Sequence, residues 1–157
     1  ELSCLGPGGG HRVVQLHGGE SPDRCRELRQ VLGPDIGLWK ALRIRSRDDL
    51  NQAWAYASLV DALLLDAWVP DQLGGTGHRI PIEWLSGFQP PLPWWLAGGI
   101  RADRVGPAMA SLAAAPPSGL DASSGVERAP GDKDLARVAE LVAAVAQVAA
   151  VRQDRPS

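Results

Sequence analysis

Leu120-Asp121-Ala122-Ser123-Ser124-Gly125-Val126-Glu127-Arg128-Ala129-Pro130-Gly131-Asp132-Lys133-Asp134 decides how the chain is read. An apolar step runs into small hydroxylic residues and a glycine, then a turn containing Pro-Gly, then a strongly periodic helix. Small residues at a strand end let a ligand approach the backbone, and a helix start behind them offers free N–H groups to an anion. The weight of this stretch depends on whether upstream strands end in the same way.

They do. Val13-Val14-Gln15-Leu16-His17 is a short β-branched run ending in Gly18-Gly19. Ser21-Pro22 then gives a helix an N-cap and a proline in its first turn, with Cys25, Leu28, Val31 and Leu32 at helical spacing before Gly33-Pro34. A second apolar run over 37–42 leads to Ser46-Arg47-Asp48-Asp49, a serine-to-acid capping spacing. Leu50, Ala53, Trp54 and Ala57 are expected to form the apolar face of the helix that follows.

Asp61-Ala62-Leu63-Leu64-Leu65-Asp66 is apolar on both faces until it meets Asp66, as in a parallel strand covered on both sides. A long loop containing Gly74-Gly75-Thr76-Gly77 follows, then a short helix around Ile82-Glu83-Trp84-Leu85. Trp94-Trp95-Leu96-Ala97 is the fourth strand and ends in Gly98-Gly99; a helix over about 102–115 stops at Pro116-Pro117. Residues 120–123 are the fifth strand. The last helix runs from 132–134 to about Val151, with Leu135, Val138, Leu141, Val142, Val145 and Val148 as its expected buried stripe.

Five strands alternating with helices, and no antiparallel hairpin signal, predict an α/β fold of parallel βα units. Either an open doubly wound sheet or part of a closed barrel satisfies that pattern. Both place chemistry just past C-terminal strand ends, where Gly18-Gly19, Asp66, Gly98-Gly99 and Ser123-Ser124 lie. The chain has no GxGxxG fingerprint for a dinucleotide fold.

The 157 residues suit one domain with a real core. With 45% apolar residues, 22% charged residues and a net charge of −2, nothing points to nucleic acid or a membrane as partner. The apolar C-terminal run is broken by Glu140 and Gln147, and no signal peptide is visible. Cys4 and Cys25 form neither a disulfide framework nor a metal-ligand spacing, so a reducing, cytoplasmic setting and no metal are expected. The chain begins with Glu1 rather than Met and reads as a piece of something longer.

Val14-Gln15-Leu16-His17-Gly18, Leu63-Leu64-Leu65-Asp66, Gly74-Gly75-Thr76-Gly77, Leu96-Ala97-Gly98-Gly99-Ile100 and Asp121-Ala122-Ser123-Ser124-Gly125-Val126-Glu127 occur in a telling order. With Pro130-Gly131-Asp132-Lys133-Asp134, this set closely resembles phosphoribosylanthranilate isomerase of tryptophan biosynthesis. The resemblance runs from Val13 to the final helix. It implies a (β/α)₈ TIM-barrel family, of which residues 13–151 would be a partial barrel of about five βα units, strands four to eight. Residues 1–12 would be a loop or the remnant of a preceding helix, and 152–157 a tail.

The implied reaction is an Amadori rearrangement of N-(5-phosphoribosyl)anthranilate, an aldose–ketose isomerisation without metal or organic cofactor. An acid protonates the ring oxygen, a base removes the C2 proton from the resulting iminium ion, and the enolamine tautomerises to the ketone. Asp66 matches the family's general acid; a helix cap or a loop hydrogen-bonder is the alternative role from position alone. Gly98, Gly99, Ser123, Ser124 and Gly125 would hold the ribose phosphate, although tight turns also call for glycine. Gln15, His17, Gly75, Thr76 and Asp121 would contact the substrate. A lone strand-end histidine is more often structural.

The family's catalytic cysteine lies in a Lys-Ile-Cys-Gly strand that this chain does not contain, and neither Cys4 nor Cys25 replaces it. The isolated chain is therefore expected to be inactive. Its further expected partners are the missing N-terminal barrel portion or another copy meeting its open strand edges. The helix after Gly99 departs from the family by opening Ile100-Arg101-Ala102-Asp103. A non-catalytic phosphate-binding or assembly module is the competing reading. Histidine-pathway isomerases are a nearer rival, but their repeated halves are not found. Trp84 is expected to be a packing residue, and Trp39, Trp94 and Trp95 to be core or helix-facing.

Overall fold

A computed structural model of the chain describes residues 10–67 and 79–153, with side chains as far as 151. Five strands form one sheet in sequence order: β1 (Val13–Leu16), β2 (Gly37–Ile44), β3 (Ala62–Ala67), β4 (Trp94–Leu96) and β5 (Gly119–Leu120). Every neighbouring pair is parallel, with Arg43 registered against Asp66, Leu65 against Leu96, and Leu96 against Leu120. Parallel neighbours need crossovers, and the helical segments supply them.

The first crossover is α1 (Pro22–Leu32), which starts as its sequence predicts. The Arg24 N–H donates to Ser21 Oγ at 3.2 Å, and the helix ends at Gly33. Cys25, Leu28 and Leu32 are buried, but Val31 is 63% exposed and lies outside the expected face. At 100° per residue it points away from Cys25 and Leu32.

The second crossover also begins as expected. Asp49 closes a capping box on Ser46. Beyond the cap the segment Arg47–Tyr56 winds as a 3₁₀ helix, and this moves its buried stripe. With three residues per turn, positions three apart eclipse, so Leu50, Ala53 and Tyr56 face the core and Trp54 is 51% exposed. The expected apolar face with Trp54 followed the α period and is corrected here.

The remaining helices are a 3₁₀ turn at Ile82–Leu85, then α2 (Ala102–Ser111), a 3₁₀ turn at Ser124–Val126, and α3 (Leu135–Gln153). One feature contradicts the all-parallel expectation. An antiparallel pair, β6 (Glu127–Ala129) with β7 (Asp132–Lys133), is joined by Pro130-Gly131. Its strands are short and polar, so no alternating apolar pattern marks them. The turn comes from Pro130 and from Gly131 at φ +82°, and Lys133 meets Glu127 at 2.6 Å.

Helix α3 packs chiefly on α2. Its expected buried stripe is only partly realised: Val138, Leu141 and Val148 are half-buried, while Leu135, Val142 and Val145 are exposed. A single neighbouring helix shields a narrower sector than the stripe occupies. Among the described residues, no helix is long and apolar enough to cross a membrane.

Successive side chains of a strand point to opposite faces. Leu38, Leu42, Leu63, Leu65, Trp94 and Leu96 belong to the main core, together with Cys25, Leu28 and Leu50 from the helical layer. Trp84 packs against the same core. The other face carries a smaller cluster of Ala41, Leu64 and Ala97, with Trp95 packed on it. Trp39 tilts against Trp95 on that face, their ring centroids 4.9 Å apart. Of the strand tryptophans, only Trp94 joins the helix-side core.

Candidate active site

The same alternation sorts the candidate site residues. Gln15 from β1, His17 just past its end, Arg43 from β2 and Asp66 from β3 all share the phase of the Ala41–Leu64–Ala97 face. They lie towards the C-terminal ends of neighbouring parallel strands. Asp121 follows β5 in the same phase as Gly119, and its N–H donates to Leu96 O at 2.8 Å.

Asp66 sits at the centre. Its carboxyl pKa is raised, first by burial; nearby His17 and Arg43 and the Ala67 amide pull it down, and Asp121 pushes it up. A half-buried carboxyl pushed up in this way holds a proton to higher pH, as a general acid must. Gln15 Nε2 stands 3.3 Å from His17 Nδ1, and Arg43 Nη2 donates to His17 O at 3.4 Å. Arg43 escaped the sequence reading. Register supplies the missing signal, because Arg43 pairs with Asp66 across β2 and β3.

The two glycine-bearing loops meet beside this cluster. Gly98 and Gly99 have φ of +85° and +62°, a region where side chains are rarely accommodated. A Cβ added at Gly98 would lie 3.2 Å from Asp66 Oδ1, so this loop passes against the carboxylate. At Gly125 a Cβ would stand 1.9 Å from Ile100 O, closer than any real contact. The backbones after β4 and after β5 therefore approach each other only because residue 125 lacks a side chain.

Ser123 and Ser124 lie in the loop that carries Gly125. Lys133 Nζ donates to Ser123 O at 3.1 Å and approaches Ser123 Oγ at 3.4 Å, while pairing with Glu127. Asp134 links the hairpin to α3: it pairs with Arg128 at 3.2 Å and accepts from the Ala136 N–H at 2.9 Å. Hydrogen bonding to Arg128 holds the Asp134 carboxyl below its ordinary range.

A cavity of about 700 Å³ is lined by Gly98, Gly99, Arg79, Arg101 and Arg104, and by Leu96 and Leu120. Neither Asp66 nor Ser123 lines it; its walls are the glycine loop after β4, the 3₁₀ turn at Ile82–Leu85 and α2. Arg104 Nη1 donates to Gly99 O at 3.1 Å there. Gly75, Thr76 and Cys4 lie outside the described residues. Among the described residues, no group of three or more His, Cys, Asp or Glu could hold a metal ion.

A family model for N-(5'-phosphoribosyl)anthranilate isomerase matches residues 10–144. The chain is 54% identical over 128 residues to the N-(5'-phosphoribosyl)anthranilate isomerase of Synechocystis sp., covering 82% of this chain and 57% of that relative. It is 51% identical over 141 residues to the Nostoc punctiforme isomerase, covering 90% of this chain and 65% of the relative. The chain thus spans less than two thirds of the length of these relatives.

Among solved structures, phosphoribosylanthranilate isomerase from Thermotoga maritima superposes with a TM-score of 0.71 at 27% identity, over 87% of this chain and 62% of that one. Another phosphoribosylanthranilate isomerase, solved in complex with reduced 1-(o-carboxyphenylamino)-1-deoxyribulose 5-phosphate, gives 0.67 at 25% identity over 87% and 60%. With a family model spanning most of its length and relatives above 50% identity, the chain belongs to the N-(5'-phosphoribosyl)anthranilate isomerase family.

Proposed function

We propose that this chain carries the acid and phosphate-binding part of a phosphoribosylanthranilate isomerase site, for the aldose–ketose rearrangement of N-(5-phosphoribosyl)anthranilate. The carrying observation is Asp66, half-buried with a raised pKa at a strand end, with Gly98 against it and His17, Arg43 and Asp121 acting on it. In this reading Asp66 protonates the ring oxygen as the sugar opens. The amides and hydroxyls of Gly98, Gly99, Ser123, Ser124 and Gly125 hold the phosphate. Gln15, His17 and Asp121 line the substrate, joined by Gly75 and Thr76.

The five βα units, residues 13–151, are read as strands four to eight of a (β/α)₈ barrel, with 1–12 leading in and 152–157 trailing out. The cytoplasm is the proposed setting. Base catalysis at C2 then falls to a cysteine on a strand outside this chain. Supporting that reading, β1 and β5 each have one strand neighbour among the described residues. The same open edges favour the second reading, a non-catalytic phosphate-binding or assembly module that pairs them with another chain.

Mixing the chain with a separately produced fragment holding the family's first three βα units separates the two. The expected result is isomerisation of the substrate only on mixing, abolished by Asp66→Asn. Full activity of the chain alone would refute the division of the site. Phosphate binding with no activity on mixing would favour the module.

A further inference from the structure

Lys40 is the one buried charged residue among the described residues, only 3% exposed, and it lies on the helix side of the sheet. An ammonium group has three N–H donors, and all three are used. Nζ donates to Gly18 O at 2.8 Å, to Glu20 Oε2 at 3.0 Å and to Ala41 O at 2.9 Å. Glu20 in turn accepts from the Gly18 N–H with both carboxylate oxygens, at 3.2 and 3.0 Å. Tyr56 Oη donates to Glu20 O at 2.9 Å, and Lys40 Nζ lies 6.0 Å from the Tyr56 ring centroid.

A charge buried this deeply is costly unless fully paired, and swapping such a pair for apolar residues is often neutral or stabilising. Two of its three bonds reach Gly18 and Glu20 in the loop that directly follows His17, and the third goes to Ala41 beside it. Gly18 is gripped at both its carbonyl and its amide, and Glu20 at both its carbonyl and its carboxylate. No apolar replacement could hold a loop backbone in that way.

We infer that Lys40, Glu20 and Tyr56 are positioning residues: working from the helix side, they fix the loop after β1 and so hold His17 in place against Asp66. The inference rests on the reading of His17 and Asp66 as site residues. Its readout is independent of turnover, so a lack of isomerisation on mixing with the N-terminal fragment would sink the proposed function without touching it.

The test follows the titration midpoint of the Asp66 carboxyl by carbon-detected NMR in the full chain, assigned with Asp66→Asn. His17, Arg43 and the Ala67 amide lower the Asp66 pKa, and Asp121 raises it. Displacing His17 therefore moves the midpoint up. Lys40→Met, Glu20→Gln and Tyr56→Phe are each expected to raise it by a few tenths of a pH unit, as His17→Gln does. Combined with His17→Gln, they should add nothing.

Direct electrostatics gives a different result. Loss of the Lys40 cation would raise the midpoint, loss of the Glu20 anion would lower it, and the uncharged Tyr56→Phe change would leave it in place. Opposite signs for Lys40→Met and Glu20→Gln, or shifts that add to that of His17→Gln, would overturn the inference. Should Lys40→Met fail to fold, Glu20→Gln and Tyr56→Phe still decide it.

Discussion

Replacing Gly125 with alanine tests whether the loops after β4 and β5 act as one anion cradle. The added Cβ would stand 1.9 Å from Ile100 O, whereas real Cβ atoms keep at least 3.0 Å, so the backbones must part by about 1 Å. Overpacking of this kind costs about 1–3 kcal/mol, or roughly 3–10 °C in melting temperature for a chain of this size. Binding should suffer separately. A phosphate bridging the two loops loses at least one charge-assisted hydrogen bond, worth about 1.5–3 kcal/mol, which lowers affinity on the order of 10- to 100-fold. Titrating ribose 5-phosphate into wild type and Gly125→Ala by calorimetry, with melting curves on the same samples, reads both effects. If the variant binds as tightly as wild type while its melting temperature falls, the close approach is structural only and the shared cradle is refuted.

Asp66→Asn should raise stability at neutral pH. Because the folded-state pKa of Asp66 lies above its unfolded value, its contribution is full below the unfolded pKa and lost as pH rises through the folded one. The variant's gain in melting temperature should therefore shrink towards acid pH, and a gain independent of pH would contradict the burial argument. Cys25 is fully buried and its thiol pKa is raised by burial, so peptide mapping after treatment with a thiol reagent at neutral pH should find it unlabelled until denaturant is added. Ser21→Ala removes the cap on α1 and should cost about 1 kcal/mol in a urea titration. Gly119→Ala would place a Cβ 2.6 Å from the Trp95 ring, so tryptophan fluorescence should change along with stability.

Strong local signals carried most of the fold. Leu63-Leu64-Leu65 fitted a strand buried on both faces, and Ser21-Pro22 marked a helix start. The helix after Ser46 was legible in its cap but not in its pitch, since a 3₁₀ stripe and an α stripe share Leu50 and Ala53 and part company at Trp54 and Tyr56. The β6–β7 pair was invisible because ion pairs, not an alternating apolar pattern, mark it. In α3 the periodicity was real, but how much of a stripe is covered depends on neighbours rather than on the helix itself. At the site, Asp66 and the glycine loops stood out by position and residue type. Arg43 did not, because a charged residue at a strand end gains meaning only from register. Lys40 was hidden for the opposite reason: in an apolar run a lysine passes for a surface residue, and only the fold shows what its ammonium group holds.

The bridge between hairpin and helix has a consequence for the order in which the molecule comes apart. Asp134 caps α3 while pairing with Arg128 of β6, and Lys133 of β7 holds the Ser123 carbonyl. Since α3 itself leans chiefly on α2, these segments support one another. In native-state hydrogen exchange, the amides of α2, the Ser123–Val126 loop and the first turns of α3 should open as a single cooperative unit, ahead of the Leu63–Leu65 strand. A ligand seated in the loop would then slow exchange along the whole of that unit, including amides far from any atom it touches.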